Sequence, residues 1–98
     1  MVQLPNREPE KHINITVFGD VQGVFFRRSA KLKAEALGIH GFVRNEPDGT
    51  VNIEAEGPGS DLNEFLAWCR TGFDPAAVVS VESAISENLK NYYGFEIQ

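Results

Sequence analysis

The chain has 98 residues, of which 42% are hydrophobic and 23% charged, so it is long enough for one domain with one modest core. Its formal net charge of −5 makes nucleic acid an unfavourable bulk partner, and no apolar run reaches the length of a membrane span. The single cysteine cannot form an internal disulfide, which favours the cytoplasm as the compartment.

A polar segment precedes the first periodic element. Residues 1–11 contain two prolines and show no periodicity, which predicts a flexible N-terminal tail. We expect a single domain to cover residues 12–98. At the start of this domain, the alternation in HINITVF at 12–18 predicts a half-buried strand.

The next segment, at residues 25–37, changes to a helical period. Its apolar stripe begins with Phe25 and Phe26 and continues through Leu32, while Arg28 lies on the opposite, polar face. The stripe predicts that both phenylalanines face the core.

A hairpin is predicted after this helix. GFVRNE at 41–46 has the pattern of a strand, and the Pro-Asp-Gly turn that follows accommodates positive φ. TVNIEAE at 50–56 alternates cleanly. The alternation predicts one apolar face towards the core and an opposite, solvated face that carries Glu54 and Glu56.

The second half of the sequence predicts one more helix and two more strands. Ser60 is the expected N-cap of a helix that ends near residue 71, and strands are expected at 78–85 and, as a short fifth one, at 94–97. The resulting fold class is α+β: a ferredoxin-like split β-α-β sandwich with two helices on one face of an antiparallel, four- to five-stranded sheet. This arrangement hosts many activities, so it does not by itself specify a function.

The loop between the first strand and the first helix has the features of an anion site. Gly19 and Gly23 permit backbone conformations in which consecutive N–H groups converge. The following helix adds the positive end of its dipole, and Arg27 in its first turn offers a guanidinium that suits phosphate oxygens. The alternative is a tight turn with Arg27 on the surface.

Asn45 is the last residue of a predicted strand, directly before the hairpin turn. Its carboxamide can cap that turn, which is a common role, or it can accept a hydrogen bond from a water molecule and orient the water towards a bound group. A zinc site has no support, because His12, His40 and Cys69 lack the spacing of zinc ligands.

Two motifs in this order resemble those of the acylphosphatase family. GDVQGVFFR at 19–27 is similar to the family string G-x-V-Q-G-V-x-F-R, and GFVRN at 41–45 is similar to G-[WF]-V-[RK]-N. The resemblance covers residues 12–98. It implies hydrolysis of small acyl phosphates to a carboxylate and inorganic phosphate, without metal or cofactor, in which Arg27 binds phosphate and Asn45 positions the attacking water.

The same resemblance implies a phosphate-binding loop whose backbone N–H groups come from Asp20, Val21, Gln22, Gly23 and Val24. The implied partners are an acyl phosphate as substrate and inorganic phosphate as product and inhibitor. We expect a cytoplasmic monomer that binds neither nucleic acid nor membrane.

Two alternatives share the fold. An RNA-recognition domain needs exposed aromatic side chains on its sheet, whereas the strand at 50–56 offers acidic residues there. A regulatory domain would bind a small anion without turning it over. Release of phosphate from an acyl phosphate distinguishes an enzyme from both.

Overall fold

The computed structural model describes residues 8–98 except residues 24, 72, 75 and 76. The elements in chain order are β1 (Glu10–Gly19), α1 (Phe26–Leu37), β2 (His40–Asn45), β3 (Val51–Pro58), α2 (Gly59–Thr71), β4 (Val78–Ser86) and β5 (Phe95–Ile97). The strand β1 thus begins two residues before the predicted domain start, and residues 1–7 of the predicted tail lie outside the described residues.

The strands form one sheet in the order β4-β1-β3-β2-β5. The pairs β1–β3, β1–β4 and β2–β3 are antiparallel, as predicted. The short β5 pairs with β2 in parallel, so the five-stranded sheet is mixed rather than purely antiparallel. This parallel pairing brings the end of β5 next to the end of β2, where the candidate site lies.

The core lies between one face of the sheet and the two helices. Alternate residues of β1 and β3 face each other in register, and their apolar side chains are fully buried. The helices contribute six residues to this cluster, which are Phe26, Ala30, Ala34, Leu62, Phe65 and Cys69. In the part of the chain that the structure describes, neither helix is long and apolar enough to cross a membrane.

The buried stripe of α1 differs from the predicted one. Phe26, Ala30 and Ala34, which are spaced four residues apart, face the core, whereas Phe25 is 77% exposed and Leu32 is 61% exposed. The helix begins at Phe26 because Phe25 adopts φ 63° and ψ 17°, which is left-handed and ends the helical periodicity there. The predicted inward positions of Phe25 and Leu32 are therefore wrong.

Glu56 is also placed differently, because a later part of the chain covers it. It projects from the outer face of β3, yet it is 5% exposed. Backbone N–H groups of Lys90 and Asn91 donate to its carboxylate at 2.5 and 2.8 Å, and His12 Nδ1 lies 2.7 Å from it. Burial by itself would raise the pKa of Glu56, but these hydrogen bonds outweigh it and lower the pKa below its usual value.

The start of α2 is capped from outside the helix. The helix begins at Gly59, so Ser60 lies within it rather than at the N-cap. The Ser60 N–H and hydroxyl both donate to the Glu8 carboxylate, at 3.0 and 2.5 Å. Both bonds lower the pKa of Glu8, and the bond from the hydroxyl has the larger effect. They also place a negative charge at the positive end of the helix.

Candidate active site

A recess opens where the β1–α1 loop meets the ends of β2 and β5. Its walls include Gly23, Phe25, Arg27, Asn45 and Ile97, and it encloses about 260 Å³. Arg27 and Asn45, which the sequence analysis selected from separate motifs, therefore lie in one cavity. The cavity combines a cation, an amide and apolar side chains.

The entrance to the loop requires glycine. Gly19 has φ 139°, and a Cβ at this position would lie 2.1 Å from the carbonyl oxygen of Ala77. The next residue, Asp20, donates its backbone N–H to the same Ala77 oxygen at 2.8 Å, and its side chain is exposed. Because that N–H already has an acceptor, Asp20 anchors the loop instead of offering a donor to the recess.

The middle of the loop is fixed from two sides. Val21 is 1% exposed and belongs to the core, while the Gln22 side-chain amide donates to the carbonyl oxygens of Glu46 and Thr50 at 2.8 and 2.7 Å. The loop is thereby attached to the turn that follows Asn45. The predicted donor Val24 lies outside the described residues.

The first turn of α1 has no side-chain cap and no acidic residue. Among the described residues, its first intrahelical hydrogen bond runs from the Ser29 N–H to the Phe25 carbonyl oxygen at 3.0 Å. Within this part of the chain, the N–H groups of Phe26, Arg27 and Arg28 therefore precede the hydrogen-bonded ladder. Uncapped N–H groups and the positive end of the helix dipole favour an anion beside this turn.

Arg27 is oriented by a main-chain oxygen. Its Nη1 donates to the main-chain oxygen of Gln98 at 2.8 Å. Among the described residues, no Asp or Glu side chain forms an ion pair with Arg27. Within this part of the chain, the other donors of the guanidinium remain for a ligand in the recess.

Asn45 contributes an unpaired acceptor. It is the last residue of β2, on the same inward face as the buried Val43. Its Oδ1 is buried and has no hydrogen-bond partner within the described part of the chain. A buried polar atom left unpaired is costly, so its retention in a cavity indicates a role with a ligand or a water molecule.

Three parts of this arrangement were not foreseen from the sequence. They are the main-chain oxygen of Gln98 that orients Arg27, the Gln22 side chain that anchors the loop, and the placement of Ile97 at the recess. The Arg27–Gln98 bond joins residues 71 positions apart, and no local pattern indicates such a contact. For Gln22, the sequence indicated only a backbone N–H in the phosphate-binding loop, and no role for the side chain.

Other reactive groups lie apart from the recess. Cys69 is a free thiol within the core, where burial raises its pKa to about 12. This makes it a poor nucleophile. In the described segments, no set of three or more His, Cys, Asp or Glu residues is arranged to hold a metal ion.

Comparisons with known proteins identify the family of this chain. The family model described as acylphosphatase matches residues 13–97. An acylphosphatase from Methylococcus capsulatus is 46% identical over 72 residues, which are 74% of this chain and 78% of the relative. The crystal structure of acylphosphatase from Bacillus subtilis superposes with a TM-score of 0.85 and 33% identity, covering 90% of this chain and 98% of that one.

A structure of an acylphosphatase from Coxiella burnetii gives the same TM-score of 0.85 at 36% identity, over 92% of this chain and 94% of that one. Sequence and structure therefore place this chain in the acylphosphatase family, whose members are hydrolases that act on acid anhydrides. The ferredoxin-like α+β fold predicted from the sequence is confirmed by these neighbours.

Proposed function

We propose that the chain hydrolyses the carboxyl–phosphate bond of small acyl phosphates to a carboxylate and inorganic phosphate, with Arg27 and Asn45 as catalytic residues. The observation that carries this proposal is the Oδ1 of Asn45, which has no partner among the described residues and is buried in the same recess as the charged side chain of Arg27. The anion site and the water acceptor are then adjacent.

Phosphate binding is assigned to the loop and the start of α1. The guanidinium of Arg27 forms charge-assisted hydrogen bonds to two phosphate oxygens, and its existing bond to Gln98 holds it in place. The N–H groups of Val21, Gln22 and Gly23, together with the uncapped first turn, complete the cradle. Asp20 stays in the loop as its anchor, since its N–H is bonded to Ala77.

The chemical step needs few side chains. Asn45 Oδ1 accepts a hydrogen bond from a water molecule and directs its oxygen at phosphorus, opposite the carboxylate leaving group. A carboxylate is a weak base, so it departs without protonation by a general acid. The transition state is loose, with charge on the equatorial oxygens, so positioning and electrostatic stabilisation supply most of the catalysis.

The test is release of phosphate from benzoyl phosphate with EDTA present. Multiple turnovers, with competitive inhibition by inorganic phosphate, are expected. The proposal would be overturned if the protein bound phosphate but released none from the substrate, because that behaviour belongs to an anion-sensing domain. A requirement for added metal would contradict the metal-independent mechanism.

Two further aspects belong to the same proposal. A monomer is sufficient, since Arg27, Asn45 and the loop of the recess all come from one chain. The cytoplasm fits the single cysteine, which is buried and free. Sedimentation at assay concentration tests the first, and localisation of the tagged protein tests the second.

A further inference from the structure

Phe25 occupies an unusual position for a large apolar side chain. It is 77% exposed and has a left-handed backbone with φ 63°, which glycine adopts far more readily. Its neighbour Phe26 packs against Trp68 and Phe73, with ring centroids 5.5 and 5.2 Å apart, whereas Phe25 makes no aromatic contact among the described residues. The fold therefore gains little from this ring, and a strained exposed residue beside a cavity indicates a functional role.

A second apolar side chain lies at the same recess. Ile97 of β5 pairs with Val43 of β2 and is 43% exposed. Because paired strand residues project to the same face of the sheet, Ile97 shares the face of Val43 and, two residues further along β2, of Asn45. Phe25 and Ile97 thus both border the cavity that holds the catalytic pair.

The recess has more room than the phosphoryl group needs. About 260 Å³ is close to the lower end of the range of pockets for small molecules, and bare phosphate fills only part of it. With the phosphoryl group at Arg27 and water at Asn45, the acyl group must extend from phosphorus towards the rim. The side chains available to it there include Phe25 and Ile97.

The geometry points to Phe25 and Ile97 as an acyl-binding subsite that selects acyl phosphates with an aromatic or branched apolar acyl group. This inference rests on the proposed hydrolysis and names the substrate class of that same site. The acyl group packs on the ring of Phe25, offset or edge-on, with Ile97 as the second wall. A substrate with only a methyl group beyond the carboxyl leaves most of this contact unused.

The subsite acts on binding rather than on the chemical step. The acyl side chain is remote from phosphorus, and its contacts are the same in the ground state and the transition state. Their loss therefore raises KM and leaves kcat nearly constant. An aromatic contact of this kind corresponds to a change of about three- to tenfold in kcat/KM.

The experiment compares benzoyl phosphate with acetyl phosphate in variants of the full chain. Phe25→Gly removes the ring and suits the left-handed backbone, and Phe25→Leu keeps an apolar group without an aromatic face. Ile97→Ala shortens the second wall. Leu32→Ala is the matched control, because Leu32 is an exposed apolar residue of α1 that does not border the recess.

We expect the ratio of kcat/KM for benzoyl to acetyl phosphate to fall about three- to tenfold in Phe25→Gly, through KM, and less in Phe25→Leu and Ile97→Ala. Leu32→Ala keeps the ratio of the unmodified chain. Hydrolysis of both substrates with a ratio that no variant alters would overturn the subsite alone. A ratio that falls through kcat, or a parallel rise in the inhibition constant of phosphate, would also overturn it, because the change would then lie in the phosphate cradle. Absence of hydrolysis in the unmodified chain would instead refute the proposed function.

Discussion

Replacement of Asn45 by alanine is expected to abolish most of the activity without destabilising the fold. The side chain ends β2, and its Oδ1 is buried without a partner among the described residues. An unpaired buried acceptor costs about 1–3 kcal/mol, and a water molecule in the recess recovers part of that cost. We therefore expect the free energy of unfolding of Asn45→Ala to be unchanged or up to about 1 kcal/mol higher.

Although the free energy of unfolding of Asn45→Ala stays the same or rises, its catalytic activity is expected to fall, and this effect is the larger of the two. If Oδ1 positions the attacking water, its removal is felt in the transition state rather than in phosphate binding. Loss of one such positioned group lowers kcat by about 100- to 1,000-fold. The inhibition constant of inorganic phosphate stays close to its original value, because Arg27 and the loop remain.

Two measurements on each variant are sufficient. Urea unfolding gives stability, where a gain of 1 kcal/mol raises the midpoint by about 0.3–1 M, and phosphate release from benzoyl phosphate gives kcat. Asn52→Ala is the matched control, because its amide donates to Asn14 Oδ1 and the Ile15 carbonyl at 2.8 and 3.2 Å on the outer face of β3. This control is expected to lose about 0.5–1.5 kcal/mol and to keep kcat. A stability loss above about 1 kcal/mol in Asn45→Ala, or a kcat within about threefold of normal, would refute the reasoning.

Four further variants, at three positions, test the charges of the molecule. Arg27→Gln is expected to lower kcat/KM at least 100-fold, and Arg27→Lys to restore little of it, since an ammonium lacks the planar fork; steady-state kinetics checks both. Asp20→Lys is expected to lower KM and the inhibition constant of phosphate together by about two- to tenfold at low salt, because it replaces an exposed anion near the site, and titration with salt is expected to remove the gain. The pKa of Glu56 is lower in the fold than in the unfolded chain, so its contribution to stability is present above the unfolded pKa of about 4.3 and is lost as pH falls through the folded pKa. Between pH 7 and 3, the free energy of unfolding should therefore fall less steeply in Glu56→Gln than in the unmodified chain. Parallel pH profiles of the two proteins would contradict this.

The strands were predicted well because their signal is local. A period of two residues between turn signals is enough to mark β1, β3 and β4, whose ends differ by two residues or fewer from those predicted. The pairing of β5 with β2 was not specified, because three residues carry no preference for a parallel or antiparallel neighbour. The burial of Glu56 depends on a segment more than 30 residues later in the chain, at separations of 34 and 35 residues.

Phe25, the residue directly before α1, shows a different limit of prediction from sequence. Phe25 is apolar and lies at helical spacing from core residues, so the pattern assigns it to the buried stripe. Its backbone is left-handed, with φ 63°, and its side chain borders the recess. Apolarity and spacing do not distinguish a core residue from one that borders a site, whereas the motifs did select Arg27 and Asn45.

The orientation of Arg27 follows from the way β5 joins α1 to β2. Gln98, directly after β5, donates its N–H to the Val43 carbonyl and accepts from Arg27 Nη1, each at 2.8 Å. Lys31 adds a second link from α1, since its Nζ donates to the Phe95 carbonyl at 3.0 Å. These bonds to main-chain oxygens set the position of Arg27 relative to Asn45 before a substrate binds. The proposed catalysis requires this, because it relies on positioning and electrostatic stabilisation by a small number of groups.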